Sequence, residues 1–432
     1  MTHHIVIVGG GAGGIELATR LGRRLGKRGQ ARITLVDANL THIWKPLLHE
    51  VAAGSLNSSE NELNYVAQAK WNHFKFQAGR MCGLDRARKV IRLEAIHDDR
   101  GEELVPAREI AYDTLVLAVG SKTNDFGTTG AAEHCLFLDS RAQAERFHNL
   151  LLNQYLCAHA HPQREGAAQI NVAIVGAGAT GVELAAELHH AALLLAAYGL
   201  EGIRPQDLNL TLIEAGPRVV PALPERISRP VHSTLEKLGI TVLVNSPVKE
   251  VTAEGLHTAD GQFIPATLKV WAAGIRAPEF LADIDGLESN RINQLVVQAT
   301  LQTTRDEHIF ALGDCAACPM EDGKSVPPRA QAAHQQASLL AKSLARRLQG
   351  QPLLEYRYRD YGSLISLSSF SAVGNLMGNL TGDVMLEGRL ARWFYISLYR
   401  LHQMALYGPF RTLLLMISDR LGRSTEPRLK LH

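Results

Sequence analysis

Ile5-Val6-Ile7-Val8-Gly9-Gly10-Gly11-Ala12-Gly13-Gly14-Ile15-Glu16-Leu17-Ala18 joins an apolar β-type run, a glycine cluster and the start of a helix-compatible run. The same order returns at Val172-Ala173-Ile174-Val175-Gly176-Ala177-Gly178-Ala179-Thr180-Gly181-Val182-Glu183-Leu184. Both copies carry Gly-x-Gly-x-x-Gly directly after the strand, at Gly9, Gly11 and Gly14, then at Gly176, Gly178 and Gly181. Without Cβ atoms the chain turns sharply and a pyrophosphate can approach the backbone. The free N–H groups of the helix N-terminus then face its negative charge. A lone glycine pattern is weak, because a ligand-free turn reads the same way. Here each copy also has a partner acid. The strand Ile33–Val36 runs into Asp37, 23 positions beyond Gly14, and Leu210–Ile213 runs into Glu214, 33 positions beyond Gly181. A carboxylate at that place accepts from ribose hydroxyls, so strand, glycines, helix, strand and acid together predict two dinucleotide sites.

Further strands are expected at Leu115–Val119, Val242–Val244, Leu268–Trp271 and Ile309–Leu312, each a short apolar run closed by Gly, Asp or Glu. Alternation of strands with helical runs gives an α/β class built on doubly wound parallel sheets, with two Rossmann-like domains. The 432 residues leave room for two or three domains. The segment Ala160–Gln169 is the expected connector into the second copy. A net charge of +2 gives no whole-chain signature for nucleic acid, and none is expected as a partner. Five scattered cysteines fit a reducing compartment better than a disulfide framework. The start of the chain lacks the layout of a secretory signal. The longest uncharged helical stretch, between Glu187 and Glu201, is shorter than the ~18–20 apolar residues of a membrane span.

Two dinucleotide sites in one chain mean either two nicotinamides, which has no redox use, or one flavin and one nicotinamide, which makes a path for a hydride. The second copy is read as the nicotinamide site. Glu214 there repels a 2′-phosphate and favours NADH, although Arg218, four positions on, is able to accommodate that phosphate. The C-terminal half assigns the flavin. Thr304 followed by Ile309-Phe310-Ala311-Leu312-Gly313-Asp314 resembles the second FAD signature of two-dinucleotide flavoproteins, and Tyr112-Asp113-Thr114-Leu115-Val116-Leu117-Ala118-Val119-Gly120-Ser121 resembles their crossing strand. That resemblance implies a two-dinucleotide-binding flavoprotein fold with the second copy inserted into the first domain. Residues 1–140 and 288–375 are then the FAD-binding domain, 141–287 the NADH-binding domain and 376–432 a C-terminal membrane-attachment segment.

Within that superfamily three stretches resemble the type II NADH:quinone oxidoreductases: Trp44-Lys45-Pro46-Leu47-Leu48-His49-Glu50-Val51, Trp271-Ala272-Ala273-Gly274-Ile275 and Pro327-Pro328-Arg329-Ala330-Gln331-Ala332-Ala333-His334-Gln335-Gln336. The likeness covers essentially the whole chain. It implies FAD contacts at Gly9, Gly11, Ala12, Gly13, Gly14, Asp37, Lys45, Pro46, Leu47, Met81, Ala118, Gly120, Gly313, Asp314, Ala330 and Gln331. It implies NADH contacts at Gly176, Gly178, Thr180, Gly181, Glu183, Glu214, Ala273 and Gly274, and a quinone site at Gln331, His334 and Gln335. Glu183 and Gln331 are the implied catalytic residues, Glu183 as a buried carboxyl that shuttles protons to the quinone. Read without the family, Pro327–Gln336 is a polar helix start after a Pro-Pro turn, and Glu183 is an acid in the first turn of a helix, where it meets the helix dipole. Two competing functions share the glycine motifs: a soluble reductase of a protein or disulfide acceptor, and a non-catalytic redox-sensing flavoprotein.

Cys315-x-x-Cys318 is half of a zinc site, has no second pair, and is read as inert small side chains rather than a metal site. From Glu387 onward eight basic side chains face three acidic ones. Leu390, Trp393, Phe394, Leu398, Leu401, Met404 and Ala405 recur at helical spacing. After Gly408-Pro409 the same is true of Phe410, Leu413, Leu414, Ile417 and Leu421. Two C-terminal amphipathic helices follow. Their apolar faces either dip into a lipid surface with arginines on anionic headgroups, or pack on the protein's own core or in a homodimer interface. The family resemblance favours the first. It implies peripheral attachment to the cytoplasmic side of the inner membrane, electron transfer to ubiquinone or menaquinone in the respiratory chain, and no coupled proton pumping.

Overall fold

The computed structural model describes residues 2–57, 62–160, 169–197, 207–361, 363–367, 371–378, 382–387 and 399–422. Its centre is a six-stranded sheet in the order Gln302–Thr303, Asp306–Ala311, Thr114–Leu117, His3–Val8, Ala31–Asp37, Lys75–Ala78. All neighbours are parallel except the short first pair. The β-branched run Ile5-Val6-Ile7-Val8 is buried on both faces, as a central parallel strand requires. A second sheet, wholly parallel, runs Leu136–Phe137, Leu268–Trp271, Ile170–Val175, Leu208–Ile213, Thr241–Leu243. The strands expected from the sequence all lie in these two sheets, Leu268–Trp271 with the expected bounds and the others shifted by one to three residues at one or both ends. Three-stranded antiparallel sheets at Met81–Asp85, Val90–Leu93 and Arg108–Ala111, and at Val248–Val251, Gly255–Thr258 and Phe263–Pro265, were not foreseen. Their strands are short and lack a clean apolar alternation.

The first sheet takes its strands from both sides of the second in sequence, since Asp306–Ala311 pairs with Thr114–Leu117. Helix Ala12–Leu21 packs against helix Ala330–Arg347, which closes one side of the first unit. The helix Leu48–Ala53 leaves the first unit and packs on helices Arg141–Ala160 and Ala179–Ala197 of the second. Its Leu48, Val51, Ala52 and Ala53 therefore belong to the second unit's core.

The tail is helical over 399–407 and again over Pro409–Gly422, broken at Gly408 as expected. The helix 399–407 buries His402 and Leu406 against the first unit, so its docking face is not the apolar stripe. Leu401, Met404, Phe410, Leu413, Leu414, Ile417 and Leu421 are all exposed. Leu390, Trp393, Phe394 and Leu398 lie outside the described residues, as do Arg389, Arg392, Arg423, Arg428, Lys430 and most of the connector Ala160–Gln169. Among the described residues no helix is long and apolar enough to cross a membrane.

Candidate functional site

The two glycine turns are built alike. Gly9 and Gly176 have φ of +101° and +102°, a conformation that a side chain resists. A Cβ on Gly14 or Gly181 would stand 1.8 or 1.9 Å from the carbonyl oxygen of Gly9 or Gly176, so the helix can approach its strand only through glycine. At Gly11 and Gly178 nothing lies within 4 Å of where a Cβ would be. That open face sits over the start of helix Ala12–Leu21, whose N-terminus has no side-chain cap and no acid in its first turn. Uncapped N–H groups beside a bare backbone fit a dinucleotide's pyrophosphate.

The partner acids also act alike. Asp37 accepts from the Gly10 N–H at 2.6 Å and the Asn39 N–H at 2.7 Å. Glu214 accepts from the Ala177 N–H at 2.9 Å and the Gly216 N–H at 2.8 Å. Each carboxylate thus fixes its own glycine turn before any ribose arrives. Arg218 donates to the carbonyl oxygens of Leu223 at 2.5 Å and Pro221 at 2.7 Å, so its guanidinium is engaged within its own loop.

Around the first turn, Ser121 Oγ donates to Asp314 at 2.8 Å, and Lys45 Nζ donates to the Ser121 carbonyl at 2.7 Å. Burial raises the Asp314 carboxyl above its ordinary pKa, and the Ser121 hydrogen bond and Lys45 pull the other way. Gly313 N–H donates to Gln336 at 2.7 Å. Pro46 and Leu47 form a single 3-10 turn with Lys45, and Ala118 donates its N–H to Val8 at 2.8 Å beside the first turn. Gly120 follows the strand Thr114–Leu117, and Met81 is buried at the head of its antiparallel strand in the first core. In the second unit Ala273 backs the glycine turn, with its backbone nitrogen 2.7 Å from a Cβ built on Gly176. Gly274 accepts from Asn124 N–H at 3.3 Å, and Thr180 is exposed at the turn's open side.

The expected quinone residues lie on helix Ala330–Arg347, the first turn of which includes Ala330 and Gln331. Gln331 donates to Asp360 at 3.3 Å and accepts from the Tyr361 N–H at 3.1 Å. Gln335 binds the Arg359 backbone at both its carbonyl, 2.8 Å, and its N–H, 3.1 Å. His334 Nδ1 lies 2.6 Å from Glu16, a fully buried carboxylate that also accepts from Arg20 at 2.7 Å. Gln331 and Gln335 therefore secure neighbouring chain, and His334 joins helix Ala12–Leu21 through Glu16. Glu183 is buried, but it stands in the second turn of its helix rather than the first, because that helix begins at Ala179.

Glu16, Gln336, His49 and the tail contacts of His42 escaped the sequence reading. Gln336, Glu16 and His49 stood inside quoted stretches without a role being read for them, and His42 carries no spacing signal. His42 Nε2 lies 3.2 Å from His402 Nε2, and Trp44 packs on the His402 ring at 4.3 Å. With Tyr399, Gln403, Leu406 and Tyr407 they line a small cleft of about 70 Å³ between the tail and the first unit. Cys315 and Cys318 are both buried, and burial pushes each thiol up to about 11, which keeps them protonated and unreactive.

Paired dinucleotide turns on two parallel sheets, with a Gly-Asp strand returning from the C-terminal half, define the pyridine nucleotide-disulphide oxidoreductases, and that family's model matches residues 3–337. A type II NADH:quinone oxidoreductase of Haemophilus influenzae is 47% identical over 99% of this chain and 100% of its own length. One from Staphylococcus aureus is 28% identical over 87% of this chain and 90% of its own. The fold matches that of NDH2 from Plasmodium falciparum, solved with NADH, at a TM-score of 0.84 and 18% identity over 99% of both chains. It also matches the sulfide:quinone oxidoreductase of Aquifex aeolicus, at 0.73 and 19%, over 94% of this chain and 92% of that one. The chain belongs to the type II NADH:quinone oxidoreductase family.

Proposed function

We propose that this chain oxidises NADH and reduces a membrane quinone, without proton pumping, using FAD held between the two substrates. The observation that carries the reading is full-length likeness to the Haemophilus influenzae protein, joined to two dinucleotide turns in one chain. FAD, when bound, supplies the two-electron carrier between donor and acceptor.

Gly9, Gly11, Ala12, Gly13 and Gly14 would hold its pyrophosphate, Asp37 its ribose and Asp314 its ribityl chain. Lys45, Pro46, Leu47, Met81, Ala118, Gly120, Gly313, Ala330 and Gln331 would frame the ring and its approaches. Gly176, Gly178, Thr180, Gly181, Ala273 and Gly274 position NADH, and Glu214 holds its ribose and excludes a 2′-phosphate. The engagement of Arg218 with two carbonyl oxygens supports that preference. Glu183 holds the proton for quinone reduction, and Gln331, His334 and Gln335 line the quinone site. Residues 1–140 and 288–375 form the FAD-binding domain, 141–287 the NADH-binding domain and 376–432 the membrane-attachment segment. The first sheet, drawing strands from 3–117 and 302–311, supports the discontinuous first domain, while strand Leu136–Phe137 belongs to the second sheet and moves that boundary back to about residue 135.

The tail lies on the cytoplasmic face of the inner membrane, with Phe410, Leu413, Leu414 and Ile417 in the lipid boundary and Arg411 at the headgroups. Their exposure supports this placement. Under anaerobic conditions NADH should bleach the purified protein's flavin spectrum, and added quinone should restore it. A colourless chain that takes up no flavin would end the reading. Replacing Leu413 and Leu414 with Glu should release the protein from anionic vesicles in a flotation assay. Retention on vesicles, or a homodimer broken by the same change, would refute the lipid placement.

A further inference from the structure

Quinone reduction by NADH consumes one proton from solvent: NADH, H⁺ and quinone give NAD⁺ and quinol. That proton needs a route from solvent to Glu183, which is buried. His49 is 3% exposed and sits on the helix Leu48–Ala53 that crosses from the first unit to the second. Its Nδ1 lies 3.8 Å from the Glu183 carboxylate. On the other edge of the ring, Nε2 lies 4.0 Å from Glu50, whose side chain is 27% exposed. One imidazole thus faces a buried carboxyl with one nitrogen and a solvent-reaching carboxyl with the other.

We propose that His49 is the link that carries the solvent proton from Glu50 to Glu183. The inference rests on the functional reading above and adds a positioning and proton-carrying residue to it. Nε2 takes a proton from Glu50 while the proton on Nδ1 passes to Glu183, so the ring ends as the opposite neutral tautomer. Glu50 recovers its proton from water, and the ring resets by losing the Nε2 proton to water and regaining one at Nδ1 from water. Both gaps exceed a direct hydrogen bond, and a bridging water or a small side-chain rotation closes them. Burial holds the imidazole below its ordinary pKa, although Glu187, one helical turn beyond Glu183, and a hydrogen bond to the Pro46 backbone pull it upward. A neutral ring keeps one nitrogen as donor and the other as acceptor, which a relay requires.

The test uses the flavin-loaded full chain. His49→Gln should lower NADH:quinone turnover by about tenfold or more, the scale of a lost proton-transfer group. Turnover with ferricyanide, which takes electrons and no protons, should fall less than about twofold on the same logic. Glu50→Gln, at a half-exposed position, should reproduce the direction of the quinone effect. Independently of turnover, ¹⁵N NMR should show the Nδ1 resonance of His49 moving in Glu183→Gln and the Nε2 resonance moving in Glu50→Gln. Equal losses with quinone and ferricyanide, or ring resonances indifferent to both carboxyl changes, would overturn the relay. Failure of the wild-type chain to reduce any quinone would strike the functional reading instead, and the nitrogen shifts would still decide the relay.

Discussion

The two glycine turns share their dihedral angles, their closest approaches and their acid partners, yet differ at two positions. Where the first has Gly10 and Gly13, the second has Ala177 and Thr180. A Cβ on Gly10 would stand 2.3 Å from the Tyr65 hydroxyl, and one on Gly13 would stand 2.5 Å from Leu312 Cδ1 and 3.2 Å from the Ala333 carbonyl. Thr180 is exposed, with no such cover. The first turn is roofed by Tyr65 and by the helix from Ala330; in the second, Ala177 is buried and the opening lies at Thr180. A roofed turn suits a cofactor that stays, and an open one suits a dinucleotide that leaves after each turnover.

The largest effects should come from the shared glycines. A Cβ 1.8 Å from a carbonyl oxygen forces the backbone apart, at a cost of about 3 kcal/mol or more. Gly14→Ala should therefore leave purified protein nearly colourless, with flavin bound ~100-fold more weakly. Gly181→Ala should keep its flavin and lose reduction by NADH. If both variants lose flavin, the assignment of the turns fails.

Glu214→Ala removes an ionised acceptor of two backbone N–H groups, worth about 1.5–3 kcal/mol each way. The kcat/KM for NADH should fall by roughly 10- to 100-fold, and that for NADPH should fall less. A parallel loss would show that the acid serves only the turn.

Exchanging the differing residues sharpens the contrast. Gly13→Thr should cost about 1–3 kcal/mol in thermal unfolding of the flavin-bound protein. Thr180→Gly should cost no more than about 1 kcal/mol.

Acidification should loosen the docked tail helix 399–407. Burial lowers the His42 imidazole to about 4 and sets His402 well below its ordinary value. Both rings stay neutral when docked, whereas the undocked rings protonate below about 6.5. Docking is therefore complete above that pH and weakens as pH falls from 6.5 toward 4. For His42 alone the loss is about 2 kcal/mol at pH 5. Amide exchange over 399–407 should accelerate between pH 7 and pH 5, relative to the second sheet. The smallest effect should follow Tyr65→Phe, which loses the hydroxyl's 2.8 Å bond to the Gly10 carbonyl, about 1 kcal/mol.

Much of this was legible in the sequence because glycine spacing, strand-ending acids and apolar runs are local signals. Gly9 to Asp37 and Gly176 to Glu214 could be read as units, and Asp314 followed from its strand. What escaped depends on pairings across hundreds of residues. Glu16 reads as an ordinary helical acid until His334 reaches it, and His402 is one of many histidines until His42 and Trp44 meet it. The tail's apolar stripe was legible, whereas its opposite docking face was not, because one histidine and one leucine make no period.

The strand Asp306–Ala311, lodged beside Thr114–Leu117, also orders events on the ribosome. The strand His3–Val8 leads its sheet out of the ribosome, but that sheet cannot be completed until Asp306–Ala311 follows some three hundred residues later. The second sheet, uninterrupted between residues 136 and 271, can form in the meantime. Synthesis therefore starts one sheet and finishes the other first, and a chain stopped short of residue 306 should emerge with its second sheet built and its first sheet still incomplete.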